Sequence, residues 1–370
     1  TGYATPLVAQ YLGSGKEKKC AIVITQALII SVIAYPIILA CIPVGHWLFE
    51  FVGHNQEQLD LSIIYFDILM YGTLIGLARN SLNGFFCGIG KTRIVMISSI
   101  ITMVVNVIVN YALILGKFGF PSMGIKGAAI GTIIGGTCGL LFVAMGYLMY
   151  HRERKYYDFP NSLRFDANVM KKLFKFGYPG GLEFFLNLMA FDLAVLIFHS
   201  YGSDVAAAVT IAFNWDVVAF IPLIGVNIGV TSLVGRFMGG NEPDLAHKTT
   251  ISGLKLASLY GALMIVLFVF FPGPLVAMFI PDPEENQVLA DLSEYMVALV
   301  AFYVIADGFS LVYSGALRGA GDTFWTMVIS VALHWVFVVE AVVMISIFNL
   351  PPKISWAVFV LTVPTIAAAF

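Results

Sequence analysis

The sequence has 370 residues, of which 59% are hydrophobic and only 11% charged, with a formal net charge of −2. Soluble domains carry about 25% charged residues, so this chain lacks the polar surface needed to face water, and a lipid bilayer is the solvent that suits it. Nothing in the charge points to nucleic acid, and the four scattered cysteines (Cys20, Cys41, Cys87, Cys138) form no CxxC or CxxH pair that would indicate a metal site or a disulfide framework.

A helix needs roughly 20 apolar residues to cross the hydrocarbon core. Taken in chain order, the stretches that meet this test lie near 21–46, 60–87, 93–115, 125–150, 174–200, 206–235, 249–279, 289–317 and 324–348. Residues 1–12 read as the last turns of another helix and 355–370 as the first part of one more. Pro36 and Pro179 sit in or at the start of spans, where a missing N–H favours a bend.

Loop charge alternates along this map. Lys16, Lys18, Lys19, Lys91, Arg93, seven Lys or Arg between Arg152 and Lys175, Arg236, Lys248 and Arg318 fall on one side. The other side carries Lys117, Lys126 and Lys353, with the acids Glu57, Asp60, Asp204, Asp282, Glu284 and Glu285. The positive-inside rule assigns the first set to the cytoplasm of a multi-pass protein in the plasma or inner membrane. The one long polar segment, 151–173, divides an N-terminal bundle (1–150) from a C-terminal bundle (174–370).

The halves resemble each other. Leu7-Val8-Ala9-Gln10-Tyr11-Leu12-Gly13 matches Leu233-Val234-Gly235-Arg236-Phe237-Met238-Gly239, and Gly88-Ile89-Gly90-Lys91-Thr92 matches Gly319-Ala320-Gly321-Asp322-Thr323. Matched motifs fall on the same predicted side, so the repeats are parallel. The fold expected is an all-α membrane protein of two pseudo-symmetric bundles of six transmembrane helices, of which about nine complete and two partial helices are present. On that frame the N-terminal bundle lacks its first helix and most of its second, roughly 55 residues, and the last helix is cut.

These motifs, together with Asn106-Val107-Ile108-Val109-Asn110-Tyr111, Gly124-Ile125-Lys126-Gly127-Ala128-Ala129 and Ala316-Leu317-Arg318-Gly319-Ala320-Gly321-Asp322-Thr323, give a chain that resembles the MATE family of multidrug and toxic-compound exporters. The resemblance implies a V-shaped pair of bundles around a central cavity. It also implies export of mostly cationic compounds in exchange for H⁺ or Na⁺, with no cofactor beyond the coupling ion and no enzyme activity.

An ionised side chain at bilayer depth costs on the order of 2.5–3.5 kcal/mol on insertion scales, so such residues face a cavity or a partner. Asp67, Arg79, Glu183, Asp192, Asp216, Asp307, Glu340 and, more weakly, His334 qualify. Tyr303 and Asp307 are four residues apart and share a helical face. In the resembled family an Asp with a Tyr one turn earlier, upstream of a Leu-Arg-Gly motif, helps to form the cation site, and both positions match. The family also places a cation-binding Glu in the helix that holds Glu183, although its usual distance from the Pro fits Asn187 better. Asp216 completes a candidate cluster with Glu183 and Asp307, in which close carboxylates resist joint ionisation until a proton or Na⁺ relieves them. Any Na⁺ is expected at Asp307 and Glu183, and no other metal. Asp192 shares a helix with Glu183. Asn106 and Asn110, at i and i+4, are a first-bundle polar pair, read either as part of a proton site or as interhelical hydrogen bonding. Arg79, Lys255, Glu340 and Asp67 are expected to pair structurally.

Gly90-Lys91-Thr92 is not a P-loop, because the Gly required five positions before Gly90 is Phe85. The leading function is a secondary active multidrug efflux transporter, working as a monomer on small-molecule drugs or toxic organic cations. A flippase for lipid-linked precursors or polysaccharide, of the same superfamily, and an ion channel are the alternatives.

Overall fold

The structure is a computed structural model that describes residues 2–52, 55–153, 162–280 and 286–369. Asp282, Glu284 and Glu285, and residues 154–161 of the connector, lie outside the described residues. The described chain is α-helical: α1 (Ala4–Gly13), α2 (Glu17–Ala40), α3 (Ile42–Val52), α4 (Gln56–Gly88), α5 (Thr92–Leu115), α6 (Gly124–Glu153), α7 (Ala167–His199), α8 (Ser203–Gly239), α9 (Pro243–Phe270), α10 (Pro272–Ala277), α11 (Gln287–Ala320), α12 (Phe324–Val342), a π-helical turn (Val343–Ile347) and α13 (Pro352–Ala369). Among the described residues, nine helical segments are long and apolar enough to cross a membrane.

Two expected spans are interrupted. The first breaks at Cys41, between Pro36 and Pro43, into α2 and α3. The one near 249–279 breaks at Phe271, whose φ of −129° and ψ of 38° lie outside the helical region, since a following proline ring disfavours helical geometry in the residue before it. Pro272 then opens α10. Pro36, Pro179, Pro222 and Pro364 all lie inside helices that continue past them.

The chain forms two compact units, Thr1–Lys175 and Phe176–Phe370. Each is held by helix pairs that meet through small residues, the packing that lipid favours because it offers no hydrophobic gain between helices. In the first unit, Gly127, Gly131, Gly135 and Gly139 form a stripe on α6 that receives α5. A Cβ on Gly127 would lie 2.9 Å from Leu113, one on Gly135 would lie 2.7 Å from the Thr102 carbonyl, and one on Gly131 would land on Asn110 Oδ1. In the second unit, Gly308, Gly315 and Gly319 of α11 lie against Leu223, Asn227 and Thr231 of α8.

The paired motifs make the same contact in both units. Val8 packs on Gly88, where a Cβ would sit 2.7 Å away, and Val234 packs on Gly319, where it would sit 3.1 Å away. The helix ends follow local chemistry. The Asn55 side chain accepts the Gln58 N–H at the start of α4, an N-cap that satisfies an orphan donor. Gly321 closes α11 with φ +100°, a left-handed conformation that glycine adopts without penalty. Large apolar side chains such as Phe51, Phe184 and Leu259 are more than 70% exposed from the protein, as a lipid-facing exterior requires.

Candidate functional site

Asp307 and Tyr303 stand one turn apart on α11, and Asp216 stands on α8. These two helices run parallel and form the most extensive contact of the second unit. Tyr303 is 4% exposed, and its hydroxyl hydrogen-bonds the Asp216 carboxylate. Asp307 lies close enough for its charge to act on both Asp216 and Tyr303. Both carboxylates are half-buried. The result is a carboxylate from each of two helices with a phenol hydrogen-bonded to one of them, inside spans that carry few other charges.

The seam beyond this group sets its register. Gly308 admits Leu223, the Asn227 amide donates to the Leu311 carbonyl and the Ser314 hydroxyl, and the Thr231 hydroxyl donates to the Gly315 carbonyl at 3.0 Å. Leu223, Asn227 and Thr231 are spaced by four residues, so all lie on one face of α8. They were not among the residues singled out from sequence, although that spacing was readable.

Glu183 lies elsewhere. Its Oε1 accepts from the Arg318 guanidinium at 2.6 Å, with the Glu183 side chain 5% exposed. Arg318 follows Asp307 by eleven residues on α11, about 16 Å along the axis. The structure therefore brings Asp216, and not Glu183, to Asp307. A single Na⁺ shared by Asp307 and Glu183 does not fit this arrangement, because the neutralising guanidinium already occupies Glu183. Among the described residues, no group of three or more His, Cys, Asp or Glu is placed to hold a metal ion. The Asn187 amide donates to Ser330 Oγ at 2.8 Å, and His334 Nδ1 lies 2.7 Å from the Ser330 carbonyl. Glu183 Oε2, Asn187 Oδ1 and Arg318 Nε are buried without a protein partner. Asp192 projects from α7 uncovered by its own unit. Sequence reasoning placed Arg318 among the charges at one membrane side and in the Leu-Arg-Gly motif; its role as the partner of Glu183 came only from the structure.

In the first unit, Asn110 donates to Asn106 Oδ1 at 3.1 Å, and Asn106 donates to the Thr132 hydroxyl at 3.3 Å. Together with Ser98, whose hydroxyl donates to the Gly139 carbonyl, and Thr102, they form a polar stripe at four-residue intervals along α5. The other membrane-depth charges find these partners: Asp67 with His46 at 2.7 Å, Arg79 with the Thr102 hydroxyl at 2.7 Å, and Glu340 with the Thr362 hydroxyl at 2.6 Å.

Comparison with known proteins gives the family and the fold. The MatE family model matches residues 3–112 and 179–345. A probable multidrug resistance protein NorM of Thermotoga maritima is 26% identical over 361 residues, covering 95% of this chain and 75% of that protein. One of the same name from Bacillus cereus is 27% identical, covering 90% of this chain and 72% of its own length. Among solved structures, a MOP superfamily transporter from Pyrococcus furiosus superposes with a TM-score of 0.90 at 19% identity, over 99% of this chain and 80% of that one. An outward-facing multidrug resistance MATE family transporter superposes with the same TM-score, identity and coverage.

Proposed function

The chain belongs to the MATE family of transporters, and from that premise we propose that it is a secondary active multidrug exporter that releases organic, mostly cationic compounds in exchange for H⁺ or Na⁺. The observation that carries this reading is the Asp216–Tyr303–Asp307 group, two neighbouring carboxylates on adjacent spanning helices, one of them hydrogen-bonded by a phenol hydroxyl. Two nearby carboxylates resist ionising together, and one small cation relieves the repulsion. The group therefore takes up and gives back one cation as its surroundings change.

Exchange follows if the ion and the compound prefer different conformations, since a ligand shifts an equilibrium only by its differential affinity for the two states. Ion occupancy at Asp307 favours the state that releases the compound outside, and compound binding from the cytoplasm favours release of the ion inwards. The basic loops of the positive-inside pattern are cytoplasmic on this reading, and the protein works as a monomer in the plasma or inner membrane. Asn187, Glu183, Asn106 and Asn110 are assigned supporting polar roles in the two units.

The test is ethidium transport in proteoliposomes with proton and sodium gradients imposed separately. One of the two gradients is expected to drive transport by the wild type. Asp307→Asn should reduce it to the background of empty vesicles while leaving expression unchanged. Gradient-driven transport by that variant at wild-type rates would remove Asp307 from the mechanism.

A further inference from the structure

Glu340 is an acid that the group around Asp307 leaves unused. It lies inside the spanning segment Phe324–Ile347, about 24 Å along the axis from the start of α12. Its Oε1 is 2.6 Å from the Thr362 hydroxyl of α13. Its Oε2 is buried without a partner among the described residues. Between Arg318 and Lys353, and again beyond Lys353, the sequence holds no lysine or arginine. The titratable groups of the neighbouring helices are engaged elsewhere: Asp307 and Tyr303 of α11 with Asp216, His334 of α12 at the Ser330 carbonyl, and Lys353 of α13 over the Tyr295 ring. Among the described residues Glu340 forms no ion pair, with His199 at the end of α7 or with any other base.

Thr362 shows which form of the acid fits. Its hydroxyl has one proton and two acceptors, Glu340 Oε1 at 2.6 Å and the Val358 carbonyl at 3.0 Å. An ionised Glu340 would take that proton, and its Oε2 would stay a buried anionic oxygen with neither donor nor counter-charge, which is costly. A proton on Oε1 settles both bonds: Glu340 donates to Thr362, and Thr362 donates to Val358. Oε2 is then a neutral carbonyl oxygen, far cheaper to leave unpaired. The seam also lies where both helices are irregular. The π-helical turn Val343–Ile347 begins three residues after Glu340, and such turns collect at functional sites. Pro364, inside α13, lacks the N–H that the Val360 carbonyl would accept. The internal repeat points to the same pair. The offset that carries Gly88 to Gly319 (319 less 88, or 231) carries Asn110 and Thr132 to within one residue of Glu340 and Thr362. Asn110 reaches Thr132 through Asn106, so the second unit has a titratable acid where the first has neutral amides.

We propose that Glu340, held by Thr362, is a second proton-binding site of the exporter, loaded in the conformation described here and emptied when the seam between α12 and α13 opens to water. On release the O–H bond at Oε1 breaks and the proton passes to a water molecule, leaving a hydrated carboxylate. The site exchanges only with the seam, so it adds one proton to each turnover without entering the binding equilibrium while the seam is closed. The assignment rests on the export function proposed above, with H⁺ as an exchanged ion.

The experiment counts protons. Proteoliposomes are held at zero membrane potential with potassium and valinomycin, and the ethidium ratio across the membrane is read at steady state over a series of pH differences. The logarithm of that ratio rises with the pH difference, with a slope equal to the number of protons exchanged per ethidium. Glu340→Gln keeps the shape and a hydrogen bond to Thr362. It should lower the slope by one, so that the sustained ethidium gradient falls about tenfold per pH unit. Infrared spectra of the purified protein give a readout independent of transport. The wild type should show the carbonyl band of a protonated carboxyl group, which Glu340→Gln removes and Thr362→Val shifts.

An unchanged slope in Glu340→Gln, or a wild-type spectrum without that band, would overturn the site and leave a structural hydrogen bond, with export intact. Wild-type transport that answers to sodium and not to the pH difference would overturn it as well. If Glu340→Gln does not fold or does not transport, wild type and Thr362→Val decide by infrared alone, and a band that stays in place overturns the assignment. Failure of the wild type to move ethidium under either gradient would instead remove the export reading on which the assignment rests.

Discussion

At the scale of single residues, the Tyr303 hydroxyl hydrogen-bonds one of the two carboxylates, Asp216, so its loss tests the group more gently than removing an acid. A hydrogen bond to a charged acceptor contributes about 1.5–3 kcal/mol. Tyr303→Phe should therefore weaken the response to the coupling ion by about tenfold or more, read as the gradient or ion concentration needed for half-maximal ethidium transport. An unchanged midpoint would show that the phenol only fills space.

The Glu183–Arg318 pair makes the opposite prediction. Removing one partner of a buried pair leaves an uncompensated charge, which costs about 3–5 kcal/mol when both are buried. Arg318 is 31% exposed, so the cost should be smaller, about 1–3 kcal/mol. Glu183→Gln is expected to lower the thermal midpoint in detergent while keeping the ion midpoint, and a variant that also carries Arg318→Met should recover part of the loss.

At the scale of helices, each unit is stitched by a polar stripe on one helix facing small residues on its neighbour. Ser98, Thr102, Asn106 and Asn110 face the glycine stripe of α6, and Asn227 and Thr231 face the glycines of α11. The glycines are there for proximity, since a Cβ at Gly131 would collide with Asn110. Overpacking of this kind costs about 1–3 kcal/mol, so Gly131→Leu should destabilise the detergent-solubilised protein by that amount. Gly76→Ala, in open space, should shift the thermal midpoint very little. Equal midpoints for the two variants would show that α5 and α6 are not held by close approach.

At the scale of the whole molecule, coupling between ion and compound is reciprocal: if the ion weakens compound binding, the compound weakens ion binding by the same factor. If H⁺ is the coupling ion, ethidium should bind about fivefold or more tightly at pH 8 than at pH 6, where protons occupy the acid pair. Asp307→Asn should flatten that dependence. Fluorescence titration of the purified protein measures both, and a slope that persists in the variant would move the titrating group elsewhere.

Much of this protein was legible in its sequence because lipid leaves few options. A backbone in hydrocarbon must satisfy its own hydrogen bonds, so long apolar runs are helices, and the spans expected from composition appear as such, apart from breaks at Cys41 and Phe271. The Tyr303–Asp307 spacing was also readable, since a four-residue interval on a helix puts two side chains on one face. Which acid joined them was not. The sequence put both Glu183 and Asp216 in one cluster with Asp307, and the structure brings only Asp216 there. What decided it was the packing of α8 along α11, which carries Asp216 to Tyr303, and the ion pair by which Arg318, farther along α11, holds Glu183. Periodicity assigns a residue to a face of its own helix, but which faces meet, and at what height, depends on contacts between residues far apart in the chain.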